Sequence, residues 1–249
     1  MQAIIMAAGK GSRLGNLTDN KPKSFMEIKG FKMIEYNISM LHAFGIRDII
    51  IVTGYHSERF DELTEKIDGI KCVYNPFFEM VNVLGSYFMA KDLLHDDFVY
   101  LHADTLCAPE IFKALLQEEG DIILPVDYSP CDEEAMKVKV SVTDGKVVEI
   151  NKTMDCETSK GEFIGIAKVG RCVINELNSA TVDLMKEKAF TSYFEGAIQR
   201  VIDKQTFLVK SISTKGYFWS EVDFKEDYQK ACALIPDSLV QIAREEFQR

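Results

Sequence analysis

The sequence has a single tryptophan and only six prolines in 249 residues, and none of its six cysteines stands in a C-x-x-C pair. That leaves no zinc-ribbon or dithiol redox signature. The four histidines are scattered, with no ligand spacing to a cysteine or to one another, so a zinc site is not expected. No apolar run approaches the roughly 20 residues that span a bilayer, so no membrane partner is expected. The start, Met-Gln-Ala-Ile-Ile-Met, lacks the charged region of a signal peptide and reads as a strand. Reduced thiols and a cytoplasmic location are the expectation. A basic excess is also missing: 29 Lys and Arg face 39 Asp and Glu, for a net charge of −10. This argues against a general nucleic-acid binder, which normally carries a basic stripe.

What is present is ordinary globular material, 47% hydrophobic and 27% charged. A chain this long buries roughly three quarters of its unfolded surface, so a large core needs no staples. With no linker, low-complexity run or repeat, residues 1–249 read as one domain.

Short apolar runs alternate with helical periodicity, the pattern of strand–helix–strand units on a mainly parallel sheet. Strands are predicted at Ala3–Met6, Asp48–Thr53, Ile70–Tyr74, Phe98–His102, Ile122–Val126, Phe163–Val169 and Phe207–Ile212, with a short, ambiguous segment at Phe218–Val222. Helices are predicted at Met33–Phe44 (closed by Gly45), Phe60–Ile67, Gly85–Leu94, from Pro109, at Val173–Lys186 and Phe194–Ile202, and twice more at the end. Val138–Ile150 alternates around Asp144-Gly145, a hairpin with a two-residue turn signal.

Lys10–Lys23 reads as a long polar loop directly after the first strand, where doubly wound folds bind ligands. Its glycines, Gly9, Gly11 and Gly15, miss the spacing of both G-x-G-x-x-G and the P-loop. What remains is a loop of unhindered N–H groups able to cradle phosphates, with Arg13 as a bidentate partner. Lys10, Lys21 and Lys23 add three more cations to this segment of an acidic chain. A solvated loop is the bland alternative.

The run Ala3-Ile4-Ile5-Met6-Ala7-Ala8-Gly9-Lys10-Gly11-Ser12-Arg13-Leu14, with Thr18 and Lys21-Pro22-Lys23, resembles the signature of the nucleotidyltransferases. Further stretches fit the same family: Thr53-Gly54-Tyr55, Asn75-Pro76, Asn82 to Ser86, His102-Ala103-Asp104, Gly161-Glu162-Phe163 and Glu221-Val222-Asp223. Within it the chain is most similar to small cytidylyltransferases acting on phosphocholine, phosphonates or inositol phosphate. Sugar-1-phosphate enzymes usually carry a glutamine and Gly-Thr-Ala where this chain has Asn82-Val83-Leu84-Gly85-Ser86.

The resemblance implies a Rossmann-like α/β/α sandwich with a mixed, mainly parallel sheet and a β-hairpin in the acceptor-binding half. Residues 1–125 would form mainly the nucleotide half, 126–225 mainly the acceptor half, and 226–249 the C-terminal helices, which leave a homodimer open. It implies that an acceptor phosphate or phosphonate attacks the α-phosphorus of CTP and releases pyrophosphate. Arg13 and the amides of Gly9, Gly11 and Ser12 would hold the β- and γ-phosphates, and Lys23 would neutralise the α-phosphate. Ala8, Asn82, Gly85 and Ser86 would read the base, with helix capping ahead of Ser86–Leu94 the alternative for Asn82 and Ser86. Asp104 and Asp223 would bind Mg²⁺, with Glu221 a third ligand or a charged neighbour. Lys152, Glu162, Tyr193 and Trp219 would meet the acceptor; Lys152 and Glu162 also read as exposed strand-end charges, and Phe194, beside Tyr193, reads as core packing. Choline-type sites enclose the ammonium in aromatics. Here Met136–Val140 is MKVKV rather than aromatic, which speaks against choline; a phosphonate such as 2-aminoethylphosphonate suits the mixture of lysine and carboxylate, and inositol or glycerol phosphate stay open. The rivals are a sugar-1-phosphate nucleotidyltransferase and, in another class, a nucleotide-binding module without turnover.

Overall fold

Gln2–Ala7 forms β1, and all six residues are buried. Successive side chains of a strand point to opposite faces. Here Ala3, Ile5 and Ala7 enter one apolar cluster, while Ile4 and Met6 enter a second. A strand that is apolar on both faces has to be covered on both. Burying one such branched side chain contributes about 1.5–3 kcal/mol.

The computed structural model describes residues 1–248. After β1 come β2 (Glu27–Ile28), β3 (Phe31–Lys32), α1 (Met33–Ala43), β4 (Asp48–Thr53), α2 (Asp61–Lys66), β5 (Ile70–Tyr74) and α3 (Val83–Ala90). Then follow β6 (Phe98–His102), β7 (Thr105–Cys107), α4 (Pro109–Gln117), β8 (Ile122–Asp127), β9 (Lys137–Val140), β10 (Val147–Asn151), β11 (Gly161–Phe163) and β12 (Ile166–Val169). The remainder is α5 (Ile174–Lys186), α6 (Phe194–Asp203), β13 (Val209–Ser213), β14 (Trp219–Glu221), α7 (Lys225–Leu234) and α8 (Asp237–Phe247).

The main sheet runs β10-β9-β11-β8-β12-β6-β1-β4-β5, with β13 on β8. Its β6-β1-β4-β5 part is parallel, and so is the β8–β13 pair, whereas β9 to β12 pair antiparallel. Helices α1, α2, α4, α7 and α8 supply side chains to the first cluster, and α3, α5 and α6 to the second. This is the mixed, mainly parallel three-layer sandwich expected from the sequence. No described helix is long and apolar enough to cross a membrane.

Helix α1 ends as the sequence implies. Gly45 takes φ +77°, the Gly45 amide donates to His42 O and the Ile46 amide to Leu41 O, a Schellman closure.

Four local expectations are corrected. Six residues, 141–146, separate β9 from β10 instead of a two-residue turn. Ser141 Oγ pairs with Thr143 Oγ1 at 2.8 Å, and the Lys146 amide donates to Asp144 Oδ1. These local bonds compete with the ladder. The strand predicted over Phe163–Val169 breaks at Gly165, where φ is +78° and a Cβ would meet His102 Nδ1 at 2.7 Å. The helix predicted from Gly85 starts at Val83, because the Asn82 side chain caps it by accepting from the Val83 amide at 2.8 Å. Its last turn, Lys91–Leu93, is 3₁₀. The segment read as an open loop is largely 3₁₀ as well, at Ser12–Thr18 and Lys23–Phe25, with a kink at Gly15.

Candidate active site

The glycine loop leaves the carboxyl end of β1 and is closed by Thr18, whose hydroxyl donates to Gly11 O and Gly15 O. Tyr55, just beyond β4, holds it from the other side by donating to Asp19 O at 2.7 Å. Gly11 has φ +70°, and a Cβ there would lie 3.0 Å from the Lys23 stem. The glycine therefore serves both a left-handed turn and the approach of Lys23. At Gly9 a Cβ would meet nothing within 4 Å.

Asp104 lies just past β6. Asp223 reaches it because β14 pairs antiparallel with β7, with Glu221 opposite Thr105. The Val222 amide then donates to Asp104 O at 3.1 Å. Lys23 is 8% exposed, and its Nζ lies 2.5 Å from both Asp104 Oδ2 and Asp223 Oδ1. Burial disfavours the ammonium, but the two carboxylates outweigh it and hold the Lys23 pKa well above its ordinary value. Burial likewise opposes ionisation of Asp104. Lys23 and His102 reverse this and hold its carboxyl below the usual range.

Asp104, Asp223, Glu221 and His102 border one cleft of about 860 Å³. Of the nucleotide-side residues, Ala8, Gly9, Arg13, Asn82 and Ser86 line it, whereas Gly11, Ser12 and Gly85 do not. Gly11 lies against Lys23, and Val81 covers Gly85, where a Cβ would be 2.4 Å from Val81 Cγ2. The Ser86 hydroxyl already accepts from Asn75 Nδ2 at 3.0 Å. Lys23 does not line the cleft either and is tied to it only through its contacts with Asp104 and Asp223, which do. Arg13 crosses the mouth, 3.7 Å from Asp223 and 3.9 Å from Glu134. Lys10 lies over the Tyr55 ring instead.

Lys152, Glu162, Tyr193, Trp219 and Glu221 line the other end. Lys152 Nζ sits 4.9 Å from the Tyr193 ring centre, and the Trp219 indole N–H donates to Asp127 Oδ2 at 2.7 Å. Burial, then the charges of Glu221, Asp132 and Asp127, push the Glu162 carboxyl up to about 7.

Two residues here escaped sequence reasoning. His102 Nδ1 donates to Glu221 Oε1 (3.3 Å), and its Nε2 pairs with the Tyr100 hydroxyl (2.9 Å). Burial lowers its pKa, yet Glu221, Glu195 and Asp104 raise it to about 9. Glu195 is 2% exposed, and neither carboxylate oxygen has a hydrogen-bond partner. Its position was readable: it precedes the buried Ile198 and Ile202 of α6 by three and seven residues, on the apolar stripe.

Residues 2–121 match the nucleotidyl transferase family. Over those 120 residues, just under half of the chain, the sequence is that of the family. Over its whole length it is similar to the CTP:phosphoglutamine cytidylyltransferase of Campylobacter jejuni, with 27% identity covering 92% of this chain and 98% of that one. A choline-phosphate cytidylyltransferase of Streptococcus pneumoniae is 39% identical, but over 45% of this chain and about half (48%) of that enzyme. The structure of a CTP:phosphocholine cytidylyltransferase from S. pneumoniae superposes with a TM-score of 0.77 at 25% identity, covering 94% of this chain and 99% of that one.

For a nucleotidyltransferase the arrangement has a direct chemical sense. A polyphosphate can lie against Gly9 and Arg13 at one end, beside two carboxylates that an ammonium holds together. The reaction joins two anions, so neutralising charge where they meet lowers the barrier more than a stronger nucleophile would.

Proposed function

We propose that this nucleotidyltransferase is a cytidylyltransferase that transfers CMP from CTP to the phosphate or phosphonate of a small acceptor bearing a cationic nitrogen, such as 2-aminoethylphosphonate, and releases pyrophosphate. The observation that carries the reading is the meeting of Lys23, Asp104 and Asp223 at one point beside the glycine loop. The preference for CTP rests on the whole-length similarity to a CTP-using relative.

In this reading residues 1–125 bind the nucleotide, with Arg13 and the loop amides on the β- and γ-phosphates and Lys23 on the α-phosphate. Ala8, Asn82 and Ser86 face the base. Residues 126–225 bind the acceptor: Lys152 holds its phosphate, while Trp219 and Tyr193 offer ring faces to the nitrogen. The acidic lining there, with Asp127, Asp132, Glu162 and Glu195, suits a cation far better than a neutral sugar. Removing Lys23 is expected to cost about 2–4 kcal/mol of transition-state stabilisation.

The carboxylates fit a hard divalent ion. Asp104 and Asp223 already converge on one cationic centre, the Lys23 ammonium. Ligand atoms of His102, Asp104 and Glu221 also lie within 4.8 Å of one another. Carboxylate oxygens suit Mg²⁺, which fills its remaining shell with phosphate oxygens and water. When bound, the ion would neutralise phosphate charge. Asp104 and Asp223 would hold it, and Glu221 would lie close by.

The test is pyrophosphate release with CTP, UTP, dTTP, ATP and GTP against amino-phosphonates, phosphocholine, inositol phosphate and hexose 1-phosphates, with Mg²⁺ or with chelator. Turnover confined to CTP, Mg²⁺ and nitrogen-bearing acceptors supports the reading. UTP or dTTP with a hexose 1-phosphate would replace it with a sugar nucleotidyltransferase.

A further inference from the structure

Lys137 opens β9, where the alternation of Met136, Lys137, Val138 and Lys139 would place its side chain in water. It is instead 1% exposed. Its Nζ donates to three main-chain carbonyls, Glu133 O at 2.9 Å, Ala135 O at 3.2 Å and Lys152 O at 2.9 Å. An ammonium has three donors, so all are used, and all are spent on backbone.

Those carbonyls belong to two different walls of the cleft. The 132–136 loop contributes Asp132, Glu134, Ala135 and Met136 to the lining. Its amide side is held by Asp132, whose Oδ1 accepts from the Glu134 and Ala135 amides. Its carbonyl side is held by Lys137. The second wall is the turn after β10, where Asn151 Oδ1 accepts from the Met154 amide and Lys152 projects into the cleft. The two segments flank the last ladder pair of β9 and β10, Lys137 opposite Asn151, and the ammonium ties them together beyond it, alongside the Cys156 thiol, which donates to Asp132 O at 3.3 Å. In register, Lys137 stands between Asn151 of β10 and Glu162 of β11.

We propose that Lys137 is a positioning residue for the acceptor: its buried ammonium locks the 132–136 loop to the Lys152 main chain and so sets where Lys152 and Glu162 meet the acceptor. This rests on the reading of that end of the cleft as the acceptor site. Lys137→Met keeps the stem and strips three carbonyls of their donor.

Two readouts test it. In steady-state kinetics with CTP and 2-aminoethylphosphonate, Lys137→Met is expected to raise the acceptor KM about tenfold, with the CTP KM within about twofold of wild type. Amide hydrogen exchange is expected to speed up at 132–136 and 152–154 and to stay unchanged in β1 and β6. A folded variant with both KM values unchanged, or both raised by the same factor, overturns the proposal. If the unsubstituted enzyme turns over no nitrogen-bearing acceptor, the functional reading fails. The exchange readout then still decides, since unchanged exchange at both segments overturns the lock by itself. If Lys137→Met does not fold, Lys137→Gln retains two donors on a shorter arm and is read the same way, with an expected acceptor effect of about threefold.

Discussion

The ammonium of Lys23 lies 2.5 Å from Oδ1 of Asp223, 200 residues further along the chain, and as close to Oδ2 of Asp104. Three segments far apart in sequence are thereby fixed to one point: the end of the glycine loop, the end of β6 and the end of β14. Every part of the proposed chemistry depends on that convergence.

Lys23→Met leaves two carboxylates facing each other without their shared cation. Turnover is expected to fall by about a hundredfold or more, the counterpart of 2–4 kcal/mol. Folding should suffer too, since removing one partner of a largely buried ion pair typically costs about 3–5 kcal/mol when burial is complete. Asp104 is partly exposed, so a smaller loss is expected in a chemical melt. The acid limb carries a sign. The folded pKa of Asp104 is depressed, so its contribution is present above the ordinary carboxylate range and is lost as pH falls through the folded value. The wild-type advantage over the variant should shrink in acid.

Gly11 and Gly9 are expected to respond oppositely to alanine. Gly11→Ala forces a side chain into a left-handed turn and against the Lys23 stem, and should cost about 1–2 kcal/mol in thermal or chemical unfolding. Gly9→Ala should leave stability within about 0.5 kcal/mol and raise the nucleotide KM, since its methyl would point into the open cleft.

Glu162 should make stability fall as pH rises. Its folded pKa of about 7 exceeds the ordinary 4.5, so between those values the folded state binds more protons than the unfolded one. Glu162→Gln removes this penalty. The melting temperature of the variant relative to wild type is expected to climb from pH 5 to pH 8, corresponding to about 1–2 kcal/mol once solvent screening is allowed for. A flat difference across that range would contradict the environment described for Glu162.

Trp219→Phe deletes the indole N–H that Asp127 holds and leaves a weaker ring face. The KM for an acceptor with a cationic nitrogen is expected to rise about threefold to tenfold, as for losing part of a cation–π contact. The CTP KM should not change. Equal effects on a neutral acceptor of the same length would assign Trp219 to packing.

Much of the fold was legible because its signals are local. Asp48–Thr53 and Ile70–Tyr74 occur as predicted, since short apolar runs bounded by glycine have few other uses. Gly45 ended α1 for the same kind of reason. The misses are non-local. Nothing near Gly165 in sequence announces that His102 packs against it, and that contact breaks the predicted strand. Gly85 is glycine because Val81 lies over it. Glu195 was visible as an acid on an apolar stripe, whereas the burial of Lys137 was not, because its three acceptors come from two other segments.

The most direct test of the central claim is pyrophosphate release from CTP with 2-aminoethylphosphonate and Mg²⁺, run beside the same assay with UTP and glucose 1-phosphate. The account expects turnover in the first pair, abolished by chelation and lowered about a hundredfold or more in Lys23→Met. Turnover in the second pair alone, or a Lys23→Met protein as active as wild type, would contradict it.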